Sequence, residues 1–86
     1  MLEESIKKAI KEKRAIIGFR ESIRFIKKNQ PKLVVIAKNI PDNKRKEIEY
    51  LVRLGKYELK VFNGTSKELG IICGKPFPIS ILVIRK

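Results

Sequence analysis

Three features of the sequence predict an α/β fold with a four-stranded, mostly parallel or mixed sheet between two layers of helices. Segments with apolar residues at helical spacing alternate with short β-branched runs, in the order α, short β, α, β, α, β, α, β. The runs Leu33-Val34-Val35-Ile36-Ala37 and Ile79-Ser80-Ile81-Leu82-Val83-Ile84 are apolar almost throughout, as strands covered on both faces are. Glycine, proline and asparagine mark the breaks, at Gly18, Asn29-Gln30-Pro31, Asn63-Gly64 and Gly74.

Residues 2–13 read as a helix, with Leu2, Ile6, Ala9 and Ile10 on one stripe and Glu3 and Glu4 in the first turn. Residues 14–17 form a brief strand that Gly18 breaks. Phe19 to Asn29 is helical again, with Ile23 and Ile26 facing one way, and it ends before Pro31 because a residue preceding proline leaves the helical region. After the strand at 33–37 comes the loop 38–43, where Asp42 or Asn43 is placed to cap the next helix. That helix puts Ile48, Leu51, Val52 and Leu54 on one stripe and closes with Gly55 as its C′ residue. Leu59, Val61 and Tyr57 alternate with Glu58, Lys60 and Phe62 in a third strand. Thr65-Ser66-Lys67-Glu68 matches a capping box, hydroxyl at the cap and carboxylate three residues on. A short helix follows, buries Leu69, Ile72 and Cys73, and stops at Gly74. The stiff loop Lys75-Pro76-Phe77-Pro78 leads into the last strand.

The chain has 86 residues, enough for one domain over 1–86 with a modest core. Hydrophobic residues make up 43%, which excludes a disordered chain. Lys and Arg number 21 against 9 Asp and Glu, a formal net charge of +12 that points to a polyanionic partner. Nucleic acid fits better than a membrane, because no apolar run approaches the ~18 residues that span a bilayer. Met1-Leu2-Glu3-Glu4-Ser5 lacks the basic and apolar regions of a secretory signal, and a reducing cytoplasm is expected. With no histidine and one cysteine, neither a metal centre nor an internal disulfide is expected, nor any cofactor.

Enzyme templates fail. The chain has no histidine base, no G-x-S-x-G elbow, no Walker loop and no dinucleotide fingerprint. Glu47 and Glu49 fall on different faces of a helix, and Cys73 lies on an apolar stripe, so no acid, base and nucleophile come together.

Binding features are better developed. Gly18-Phe19-Arg20-Glu21-Ser22-Ile23-Arg24 opens a helix, where unpaired N–H groups and the positive dipole end favour phosphate. Arg20 and Arg24, four apart, share a face. Asn39 follows a buried strand, and its amide can read a base edge or cap a neighbouring helix. Phe77 is held between two prolines, so its ring either stacks on an unpaired base or folds back on the core. Lys44-Arg45-Lys46 reads as a solvated face that attracts at long range. Phe25, Phe62, Tyr50 and Tyr57 read as core or half-buried.

Four blocks in register resemble the large-subunit ribosomal L30e family of archaea and eukaryotes, in the wider superfamily that includes L7Ae. They are Gly18 to Arg24; Lys32-Leu33-Val34-Val35-Ile36-Ala37-Lys38-Asn39-Ile40-Pro41; Glu47-Ile48-Glu49-Tyr50-Leu51; and Gly64-Thr65-Ser66-Lys67-Glu68-Leu69-Gly70 with Cys73-Gly74-Lys75. The resemblance implies a three-layer α-β-α sandwich with a mixed four-stranded sheet. It also implies recognition of a kink-turn, a sharply bent RNA internal loop with sheared G·A pairs and an extruded base. The function implied is that of a non-enzymatic structural component of the large ribosomal subunit, monomeric off the ribosome and free of membrane. A stand-alone kink-turn binder in an RNA-modification particle or on its own message is one alternative, and a protein-interaction module is another. The residues carried over as RNA-binding are Gly18, Phe19, Arg20, Glu21, Arg24, Lys38, Asn39 and Phe77. Pro78 stands where relatives often keep a residue with a free N–H, and the end at Lys86 suits a tail-less archaeal member.

Overall fold

The computed structural model describes residues 2–86; Met1, the first residue of the stretch that lacks a signal pattern, lies outside them. Helices α1 (Leu2–Lys11), α2 (Phe19–Lys28), α3 (Asp42–Gly55) and α4 (Ser66–Ile72) alternate with strands β1 (Ala15–Ile17), β2 (Pro31–Ala37), β3 (Leu59–Phe62) and β4 (Ile81–Arg85). The expected element order is reproduced. The sheet runs β1-β4-β2-β3, with β2 and β3 parallel and β4 antiparallel to both β1 and β2. It is therefore mixed, as the resemblance implied.

The two central strands explain the unbroken apolar runs. On β2, Leu33, Val35 and Ala37 pack with Ile6 and Ala9 of α1 and Leu69 of α4. Val34 and Ile36 point the other way, onto Ile23 and Ile26 of α2 and Ile48 and Val52 of α3. Each fully buried aliphatic side chain of this kind contributes about 1.5–3 kcal/mol. The edge strand β3 is covered less evenly: Phe62 is buried on α4's side of the sheet, Leu59 is half-buried, and Lys60 and Val61 are exposed.

Several boundaries differ from expectation. Pro31 belongs to β2, at the first position, where a strand tolerates a missing N–H. Neither Asp42 nor Asn43 caps α3; Asp42 is its first residue, Pro41 stands at the cap, and no side chain bonds there. Gly55 is the last helical residue and Lys56 takes the left-handed position, φ 56°. Glycine is needed at 55 for another reason, since a Cβ there would run into the Tyr57 ring. Leu54 is exposed rather than core, because two residues from buried Val52 is ~200° around a helix. Tyr50 is exposed as well, whereas Phe62 is buried and Phe25 and Tyr57 are half-buried.

The register brings four loops to one end of the sheet. Ile17 pairs with Leu82, Ile36 with Ile81 and Ala37 with Phe62, so β1, β2 and β3 finish where β4 starts. The loops after residues 17, 37 and 62 and the loop before residue 81 therefore open together.

Candidate nucleic-acid interface

Gly18 makes the sharp step from β1 into α2. Its φ of 105° and ψ of 152° lie where side chains are strained, and the space around a Cβ is empty. Backbone conformation, not close approach, is what demands glycine here. Its N–H donates to the Ile81 carbonyl at 3.3 Å, tying the start of α2 to the start of β4.

No side chain of the described residues caps α2 or α3. Both helices thus present free N–H groups and a positive dipole end near the same loops. The short helix α4 is closed by contrast. Thr65 Oγ1 accepts from the Glu68 N–H at 3.3 Å, and Glu68 Oε1 accepts from the Thr65 N–H at 3.5 Å, so the capping box read from sequence is present.

Arg20 and Arg24 line a groove between α2 and α3 together with Phe19, Ile23, Lys27 and Glu47. The two arginines share this face, as their spacing requires. Glu21 lies on the opposite flank of α2, beside Ile16 and Phe25, and pairs with Arg24 at 3.6 Å across an exposed i,i+3 step. An exposed pair like this orients more than it stabilises. The Lys44 ammonium sits 5.2 Å over the Phe19 ring. This cation–π contact ties Lys44 to a ring that lines the groove, which a purely solvated run would not do.

Asn39 is held by a backbone group of α4. Its Oδ1 accepts from the Ser66 N–H at 2.8 Å, so it caps α4. The Ser66 carbonyl in turn accepts from the Ile79 N–H at 2.9 Å. Lys38, exposed beside Asn39, donates its backbone N–H to the Gly64 carbonyl at 2.9 Å.

Phe77 lies in the loop before β4. It is 50% exposed and does not fold onto the core. It shares an apolar hollow with Pro76, Pro78 and Ile71, rimmed by Ser66, Lys67 and Lys75. The loop is seated from behind by Gly70, where a Cβ would collide with the Phe77 carbonyl.

The eight sequence-derived residues therefore fall into two groups. Gly18, Phe19, Arg20, Glu21 and Arg24 belong to the α2 side, and Phe77 to the α4 side. Lys38 and Asn39 are bonded to the α4 side, through Gly64 and Ser66. Sequence reasoning missed Lys44, Ser66 and Ile71. Ile71 carried a signal, since it lies two residues from Leu69 and so on the opposite face of α4, and it is 67% exposed. Cys73 is buried as expected, and burial raises its thiol above the usual range although Lys75 opposes this. No metal-ligating cluster and no helix long and apolar enough to cross a membrane occur among the described residues.

An α-β-α sandwich with arginines, two open helix N-termini and a presented aromatic at one end defines a class of polyanion-binding protein. Comparison with known proteins narrows the class. The whole of residues 1–86 matches the model of the ribosomal protein L7Ae/L30e/S12e/Gadd45 family, and the chain belongs to that family. Large ribosomal subunit protein eL30 of Methanothermobacter thermautotrophicus is 37% identical over 84 residues, covering 98% of this chain and 86% of that protein. Its counterpart from Methanocaldococcus jannaschii is 35% identical, covering 96% of this chain and 76% of that protein. Among solved structures, the Giardia lamblia 15.5kD RNA binding protein superposes with a TM-score of 0.89 at 19% identity, over 99% of this chain and 71% of that one. At that identity it supports the fold alone.

Proposed function

We propose that this chain is a non-enzymatic, RNA-binding structural component of the large ribosomal subunit, and that it recognises a kink-turn in ribosomal RNA. It acts as one unit, as a cytoplasmic protein that is monomeric off the ribosome. The observation that carries the reading is the convergence at one end of the sheet of the α2 arginines, Asn39 and a half-exposed Phe77, in a chain of this family. Sheared G·A pairs expose guanine O6 and N7, which Arg20 and Arg24 are suited to grip bidentately. Backbone N–H groups after Gly18 position phosphates. The Phe77 ring stacks on an extruded or unpaired base.

A titration of two RNAs of equal length and charge tests this reading. One carries an intact kink-turn and the other has Watson–Crick pairs in place of the sheared pairs. Tighter binding to the first that persists as salt rises supports shape-specific recognition. Equal and steeply salt-dependent binding to both would remove the site assignments.

A further inference from the structure

The loop end does not hold most of the positive charge. At the other end of the sheet β1, β2 and β3 begin, β4 finishes, and α1, α2 and α3 run out. Residues 8–14, 27–32, 53–58 and 85–86, which build this far end, contain eleven cations and two carboxylates. The loop-end segments 18–24, 38–47, 63–68 and 73–80 contain eight cations and four carboxylates. The last turns of the three helices account for Lys8, Lys11, Lys27, Lys28 and Arg53, because helix C-termini favour positive charge. The other six lie beyond those last turns: Lys13 and Arg14 after α1, Lys56 at the C-cap of α3, Lys32 and Arg85 at strand ends, and Lys86 after β4; helix dipoles favour Lys56 but do not account for Lys32, Arg85 or Lys86. Both carboxylates are already engaged, Glu12 with Arg14 at 3.3 Å and Glu58 with Lys60 at 3.7 Å.

Two further observations single this end out. Lys13 (φ 59°) and Lys56 (φ 56°) are the two non-glycine residues at positive φ among those described. Glycine or asparagine is the relaxed choice after a helix in this conformation, so a cation is kept at both turns against backbone preference. In addition, a cleft of about 300 Å³ opens between α1 and β3, floored by Leu33 and Ile84 and walled by Lys8, Arg14, Lys32 and Lys60 together with Glu12 and Glu58. Each carboxylate is paired with one of the four cations, Glu12 with Arg14 and Glu58 with Lys60, so the cleft keeps a net positive charge that attracts a polyanion.

We infer that the far end is a second RNA-binding surface, which holds the phosphate backbone of a duplex segment independently of its sequence, so that the chain bridges two RNA elements. The seven residues of β2 separate the two ends by ~23 Å. That exceeds the ~8 Å Debye length at physiological salt, so both ends can be occupied at once. Without a polyanion the surplus repels itself. Among the exposed large hydrophobics, Leu54 alone lies at this end, which gives a bilayer little to absorb and a protein partner no apolar centre.

The test uses the full chain, a labelled mixed-sequence RNA duplex with no internal loop, and the two RNAs of the previous titration. The variant K13N/K32Q/K56N removes three far-end charges while suiting the left-handed turns. Its duplex affinity should fall tenfold or more, with a shallower dependence on salt. Its thermal midpoint should stay or rise, and its preference for the kink-turn over the paired RNA should be unchanged. Wild type saturated with kink-turn RNA should still take up the duplex as a ternary complex. The charge-keeping variant K13R/K32R/K56R should bind duplex like wild type. Unchanged duplex affinity in the first variant, failure of the ternary complex, or an equal loss in the arginine variant would each overturn the inference. If wild type shows no kink-turn preference yet the first variant loses duplex binding, the far-end surface stands and the kink-turn reading falls.

Discussion

The side-chain carbonyl of Asn39 accepts a hydrogen bond from the backbone N–H of Ser66 at 2.8 Å, across 27 residues of chain. This bond fixes which way the amide points. Oδ1 is held by α4, and Nδ2 carries the amide's two donors. The Nδ2 donors suit guanine O6 or N7 or a phosphate oxygen.

Two variants separate these duties. Asn39→Asp keeps an acceptor for Ser66 at a helix N-terminus but loses both donors. It should keep its thermal midpoint while weakening kink-turn binding by ~1–3 kcal/mol. Asn39→Ala should lose affinity and also ~0.5–2 kcal/mol of stability, the usual value of a cap. Parallel thermal melts and RNA titrations check this. Equal affinity of the Asp variant and wild type would remove Asn39 from the RNA contact.

Gly18→Ala isolates backbone strain, since nothing lies within 4 Å of the added methyl. Holding a side chain at φ 105°, ψ 152° should cost ~1–3 kcal/mol in denaturant unfolding. A variant as stable as wild type would show that the step from β1 to α2 can be made another way.

Much of this was legible beforehand, for definite reasons. Strand β2 declares its burial because both faces are apolar, and α4 declares its start because Thr65 and Glu68 act locally. What escaped depends on partners distant in sequence. Nothing near Asn39 says that Ser66 is its acceptor's donor, and nothing near Lys44 says that the Phe19 ring lies beneath it. Gly55 looked like a helix terminator because glycine usually is one; the Tyr57 ring is the reason for it, and that packing is invisible until the chain folds. Leu54 and Tyr50 each lie two residues, ~200° of helix, from buried Val52, so phase counted from the buried positions of α3 puts both outside the stripe.

Phe77 and Gly70 make a second separable pair. Phe77→Ala removes a half-exposed ring and should cost ~1–3 kcal/mol in RNA affinity with little change in stability. Gly70→Ala drives a methyl into the Phe77 carbonyl and should lower stability and affinity together, since the loop must move. The two effects are read by thermal melts and by titration with the kink-turn RNA. A stable Gly70→Ala protein with full affinity would mean that the ring's placement does not depend on α4.

Cys73 supplies a pH test that leaves the RNA site alone. Its thiol is raised in the folded state from an ordinary value of 9.0, because burial penalises the thiolate more than nearby Lys75 favours it. Above the ordinary value the unfolded chain has released this proton while the folded chain still holds it. The unfolded state then binds fewer protons, so stability falls as pH rises. Below about pH 8 the group is protonated in both states and contributes no slope. Cys73→Ala should therefore lose its stability deficit relative to wild type progressively above pH 9.0, and keep a constant deficit below about pH 8. Denaturant titrations of the two proteins from pH 7 to pH 10 read the difference directly, and Lys and Tyr titrations common to both cancel. A difference that stays flat over that range would mean the thiol meets water in the folded state.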